Sequence, residues 1–189
     1  MRIKTSREKR ILILKTAVRW ILYYIVIFAG FIFMTSGTLK KPVILIPIAL
    51  CISVGNNQLA SAATGAICGF LIDISCGKLF GYNAVVLTAF CILISLVFEL
   101  YLKNKFINVL IATAAVSFIS GWLDYKFYYE MWNYENVEII FREVTLPVWL
   151  YTVVSSVFVF LIIKLINHFL MPREHLTIEE VINNIKQNG

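Results

Sequence analysis

Long apolar runs separated by short polar interruptions set the pattern of this chain. A bilayer core about 30 Å thick takes about 20 mostly apolar helical residues per crossing. Six segments approach that length: Val18–Met34, Leu39–Val54, Leu59–Ser75, Asn83–Leu102, Phe106–Leu123 and Val148–Leu170. The pattern predicts an all-α integral membrane protein, a bundle of six transmembrane helices. The second segment is the least regular. Its clearly apolar part, Pro42–Val54, is short for a full crossing, and Pro47 removes a helical hydrogen bond inside it. A kinked or re-entrant segment is expected there.

Composition agrees with the run lengths. The 189 residues are 60% apolar and 15% charged, with a mean hydropathy of +0.82, far from the balance of a soluble domain. Six spans consume most of the chain and leave no room for a separate soluble domain. The expected division is a basic cytoplasmic segment over 1–17, a transmembrane domain over 18–170 and a cytoplasmic tail over 171–189. The N-terminus runs from Met1-Arg2-Ile3-Lys4 into apolar sequence with no small-residue cleavage site, so the expectation is an uncleaved first helix.

Basic residues give the orientation. In the six-span reading, twelve fall on one side: seven from Arg2 to Arg19, then Lys103, Lys105, Lys164, Arg173 and Lys186. Five, Lys40, Lys41, Lys78, Lys126 and Arg142, fall on the other. The positive-inside rule then places both termini in the cytoplasm, which an even number of crossings requires. The net charge of +6 reads as topology and attraction to anionic headgroups, not as a nucleic-acid footprint.

The longest external connection, Asp124–Pro147, mixes aromatic residues, among them Tyr128, Trp132 and Tyr134, with Asp124, Glu130, Glu135, Glu138 and Glu143. Amphipathic rings favour the headgroup level, so an interfacial belt or helix extensions above the bilayer are one reading. A partner-docking surface is the other. In the tail, Thr177 and Glu180 have capping-box spacing, and Ile178, Val181, Ile182 and Ile185 share a face, which predicts a short amphipathic helix.

No catalytic constellation stands out. Cys51, Cys68, Cys76 and Cys91 lack CxxC spacing and read as buried small hydrophobes. His168 and His175 form no ligand motif, the serines no nucleophile elbow, and the glycines no phosphate-binding loop. No metal and no cofactor are expected. Lys15 and Arg19 read as anchors that snorkel, and Glu99 with Lys103 as a local ion pair.

The most informative stretch is Gly65 to Asn83. Ala62, Gly65, Ala66 and Gly69 give the third helix a flat face that admits a second backbone. Asp73 falls near the outer end of that helix, where a carboxylate needs partners. One reading is local: Gly77 and Gly81 permit a tight turn, Asn83 caps the next helix, and Asp73 accepts from amides of that turn. The other makes Asp73 part of a ligand or proton pathway.

The run Gly65-x3-Gly69-Phe70-x2-Asp73-x3-Gly77-x3-Gly81-x-Asn83, in a small bundle with basic cytoplasmic ends, resembles the MreD family of rod shape-determining proteins. The resemblance implies a non-enzymatic scaffold of the cell-elongation machinery in the bacterial cytoplasmic (inner) membrane. Its implied partners are MreC first, then MreB, RodA and its class B penicillin-binding partner. It marks Gly65, Gly69, Asp73, Gly77, Gly81 and Asn83 as motif residues, and Tyr128, Trp132 and Tyr134 stand as candidates for partner contact. The family also looks like the substrate-binding S-components of energy-coupling-factor transporters, which makes uptake of a vitamin-type molecule the alternative function. Those subunits dock through an Ala-x3-Ala face in their first helix, whereas Val18–Met34 offers only Ala29 and Gly30.

Overall fold

A computed structural model describes residues 6–36, 42–100, 105–132, 139 and 141–170. Six α-helices make up the described chain: α1 Ser6–Thr35, α2 Leu45–Ser53, α3 Gln58–Cys76, α4 Tyr82–Leu100, α5 Lys105–Tyr128 and α6 Leu146–Leu170. A 3-10 turn, Glu130–Trp132, follows α5, and a π turn, Phe141–Thr145, leads into α6. Pro147, early in α6, has no N–H to give to the carbonyl four residues back, and the wider turn occupies that approach. The predicted tail helix lies outside the described residues.

Five of the helices are long and apolar enough to cross a membrane. The expectation of six spanning helices is corrected at α2, which is nine residues long and rises only about 13 Å. The reason is Pro47. Helix running upstream through it would press its ring against the Val43 carbonyl, so the helix begins at Leu45 and Pro47 takes its third position. There the missing N–H would be free of an intrahelical partner in any case, and Pro47 starts the helix where the sequence suggested a kink.

The chain nevertheless returns across the bundle between α1 and α3. Arg19, in the first half of α1, donates from Nη2 to Asn56 Oδ1 at 3.1 Å, just before α3 begins. Thr35, the other end of α1, is 16 residues away, about 24 Å along the helix axis. Helix covers only part of that return. Above it, Val43 N–H finds an acceptor in Thr152 Oγ1 of α6 at 3.0 Å, so non-helical backbone at depth is satisfied by protein.

All nine residues of α2 are buried, and α1, α3, α4, α5 and α6 all touch it. The surrounding helices turn large apolar side chains outward, such as Ile21, Phe28, Ile111, Val154 and Phe158. Inward they present large apolar residues such as Tyr23, Ile27, Leu87, Phe98 and Ile163, interleaved with small and hydroxyl residues that include Ser61, Thr64, Gly65, Thr113, Ser117, Thr152 and Ser156. Thr64, Thr113 and Thr152 donate to carbonyls four residues back in their own helices, which hides their polarity while keeping the surface narrow. In lipid there is little hydrophobic gain from joining helices, and close packing of small surfaces supplies the attraction instead.

Candidate functional site

Among the described helices, α3 and α4 share the most extensive contact, and glycine permits their close approach. A β carbon on Gly65 would stand 2.9 Å from Thr88 Cα and 3.0 Å from the Leu87 carbonyl oxygen. One on Gly69 would stand 2.6 Å from both Ala84 N and the Asn83 carbonyl oxygen, and nearer still to Ala84 Cα. These are backbone atoms, so no rotamer change relieves the overlap. The two helices can lie this close only where α3 has no side chain.

The turn between them is closed by the other motif residues. Gly77 follows α3 with φ of 61°, and its N–H, like that of Lys78 at 3.0 Å, returns to the Asp73 carbonyl. This left-handed cap favours a residue without a β carbon. Gly81 also has positive φ, 97°. The Asp73 carboxylate, 1% exposed, then gathers the far side of the turn. Oδ2 accepts Gly81 N–H at 2.8 Å, and Oδ1 accepts both the backbone N–H of Asn83 at 3.2 Å and its side-chain amide at 2.8 Å.

All six motif residues therefore meet at the α3–α4 hairpin: two bring the helices together, two turn the chain, and Asp73 and Asn83 clasp it. Asn83 does so differently from its expected use as a helix cap. It lies inside the first turn of α4 and sends its amide back to Asp73. Three hydrogen bonds satisfy the buried carboxylate locally.

Beside the clasp, Lys78 and Asp124 form an ion pair at 2.5 Å that joins the turn to α5 across 46 residues. Burial pulls the Lys78 ammonium down, but the charge and hydrogen bond of Asp124 outweigh it and leave its pKa above the ordinary value. Asp124 Oδ1 is buried without a partner. Tyr128 Oη accepts Leu79 N–H at 2.9 Å, its ring meets Tyr82 edge-on, and Lys78 Nζ lies 5.7 Å from its centroid. The external connection thus starts later than expected: α5 continues five residues past Leu123 and carries Asp124 and Tyr128 as part of the hairpin's surroundings. Of Trp132 only the backbone, in the 3-10 turn, is described, and Tyr134 lies outside the described residues.

The opposite end holds a second polar set. Arg19 is buried, 8% exposed, and faces inward, which corrects the expected snorkelling anchor. Tyr23 Oη bonds Asn167 Oδ1 of α6, and Ser95 Oγ donates to the Asn56 carbonyl at 3.0 Å. Lys15 is exposed, as an anchor would be. Glu99 accepts Gln58 Nε2 at 3.0 Å, while Lys103 lies outside the described residues. Cys51, Cys68 and Cys91 are buried, but Cys76, at the end of α3, is exposed. Among the described residues no three His, Cys, Asp or Glu side chains converge as a metal site.

Sequence pattern pointed to the glycines and Asp73 because spacing within one hairpin is visible along the chain. The Lys78–Asp124 pair and the inward turn of Arg19 are not legible in that way. Their partners are 46 and 37 residues distant, and no local signal links them.

The geometry defines a multi-pass helical membrane protein organised around a glycine-lined hairpin that a carboxylate holds shut. The family model described as rod shape-determining protein MreD matches residues 9–169, and the chain belongs to that family. Searches of curated proteins and of solved structures gave no match.

Proposed function

We propose that this protein is a non-enzymatic scaffold of the bacterial cell-elongation complex in the cytoplasmic membrane, holding MreC beside the peptidoglycan synthase RodA and its class B penicillin-binding partner. Membership of the MreD family carries the reading, since it assigns a role in rod shape determination. The bundle is suited to it: its helices close around the buried α2 and turn large apolar side chains outward, leaving the outer faces available to other membrane chains. Both termini lie in the cytoplasm on the charge distribution, toward MreB, and the Asp73 end faces outward. The region around Tyr128, Trp132 and Tyr134 at that end is the proposed contact for MreC, with Tyr128 held in place by Leu79.

Affinity purification from native membranes in mild detergent, followed by mass spectrometry, tests the assignment. MreC and wall-synthesis proteins are the expected companions; a transporter coupling subunit with paired ATPases would replace the scaffold reading with small-molecule uptake. Orientation has its own test. An impermeant maleimide applied to intact spheroplasts is expected to label Cys76, the exposed thiol at the Asp73 end, and labelling only after lysis would invert the topology.

A further inference from the structure

Arg19 carries a positive charge that no described carboxylate neutralises. Its guanidinium has five N–H donors in a planar fork. One nitrogen donates to Asn56 Oδ1 at 3.1 Å, the group lies 5.8 Å from the Tyr23 ring centroid, and Nε is buried with no hydrogen-bond partner. Asn56 is neutral, and Tyr23 is committed through its hydroxyl to Asn167. Glu99, at the same end of the bundle, is taken by Gln58. A buried cation left with neutral partners is poorly compensated, and a compensating anion is what such a site selects.

The position says where that anion comes from. Asn56 lies in the turn that precedes Gln58, the first residue of α3, and Asn167 is three residues from the end of α6. Arg19 is therefore level with the ends of neighbouring spans, where lipid headgroups sit. Exposed Lys15 precedes it by one turn on α1, and exposed Lys164 precedes Asn167 by one turn on α6, so the approach is cationic. Basic sites between transmembrane helices at this level take anionic headgroups, and a guanidinium matches phosphate oxygens two at a time.

We propose that Arg19, supported by Asn56 at the α1–α6 seam, binds the phosphate of an anionic membrane lipid. The site lies at the other end of the bundle from the Asp73 clasp and is independent of which proteins the chain partners. Inorganic phosphate shares the chemistry, but a headgroup is already delivered to this depth by its acyl chains.

Native mass spectrometry of the purified full-length protein, with added phosphatidylglycerol or phosphatidylcholine of matched acyl chains, tests the proposal. Wild type is expected to retain one phosphatidylglycerol about tenfold better than phosphatidylcholine, with Arg19→Gln abolishing that preference and Lys126→Gln, at the opposite end of the bundle, keeping it. Arg19→Lys, which keeps the charge but not the fork, is expected to fall between and covers the case in which Arg19→Gln does not fold. Equal retention of the two lipids by wild type, or wild-type preference in Arg19→Lys and Arg19→Gln, overturns the proposal. Displacement of the bound lipid by millimolar inorganic phosphate would overturn the headgroup assignment in favour of a free anion.

Discussion

Asn83 reaches back across the α3–α4 turn and sets its side-chain amide 2.8 Å from Asp73 Oδ1, the same oxygen that takes its backbone N–H. One carboxylate thereby fixes both the start of α4 and, through Gly81, the turn before it.

Asp73→Ala strands these buried donors, each costing about 1–3 kcal/mol before relaxation. Thermal unfolding in detergent is expected to show a clear fall in Tm. Asp73→Asn is expected to fall less, since it keeps one acceptor oxygen while turning an NH2 toward other donors. Unchanged unfolding together with lost control of cell shape would instead make the carboxylate a working group rather than a clasp.

Gly69 and Gly77 answer to different physics. Gly69→Ala drives a methyl into the Ala84 backbone, and α3 and α4 must separate, at a cost of about 1–3 kcal/mol or more. At Gly77 a β carbon meets nothing within 4 Å, and Gly77→Ala is charged only for its left-handed φ, about 1–2 kcal/mol. Gly77→Asn should recover part of that loss because asparagine tolerates the conformation, whereas no residue larger than glycine rescues position 69. Equal destabilisation by the three variants would refute the division.

The Lys78–Asp124 pair gives stability a dependence on alkaline pH. The folded-state pKa of Lys78 is raised above its ordinary 10.5, so its contribution is complete below that value and fades as pH climbs through the higher folded-state pKa. The stability difference between wild type and Lys78→Met is therefore expected to stay flat through neutral pH and to shrink only above about pH 10.5. A difference already vanishing near pH 8 would mean that the pair does not hold its proton in the folded protein.

Much of this architecture is legible in the amino-acid sequence. The five long helices follow apolar run length, because lipid demands a continuous hydrophobic surface. The glycine motif is legible because its residues, from Gly65 in α3 through the turn to Asn83 in α4, fall within 19 consecutive positions, so that spacing alone implies contact. Pro47 is legible only in part: the sequence shows that a proline interrupts helix, not whether it lies within one or begins one. At Arg19 the usual habit of basic residues near a span end points the wrong way. Which way it points depends on α2 and α6 coming alongside, and that information is not written near position 19.

A nine-residue helix enclosed by five others also constrains how the protein is made. Four of the helices that cover α2 are translated after it, and the acceptor for Val43 N–H waits on Thr152 of α6. When α2 leaves the ribosome, the walls that will surround it do not yet exist, and it is too short to rest across the bilayer alone. Its final seating must follow arrival of α6, so this part of the bundle closes from the later helices back toward the earlier ones. A nascent chain stopped before Leu146 would leave this early segment uncovered, a mark by which membrane quality control could tell an unfinished copy from a finished one.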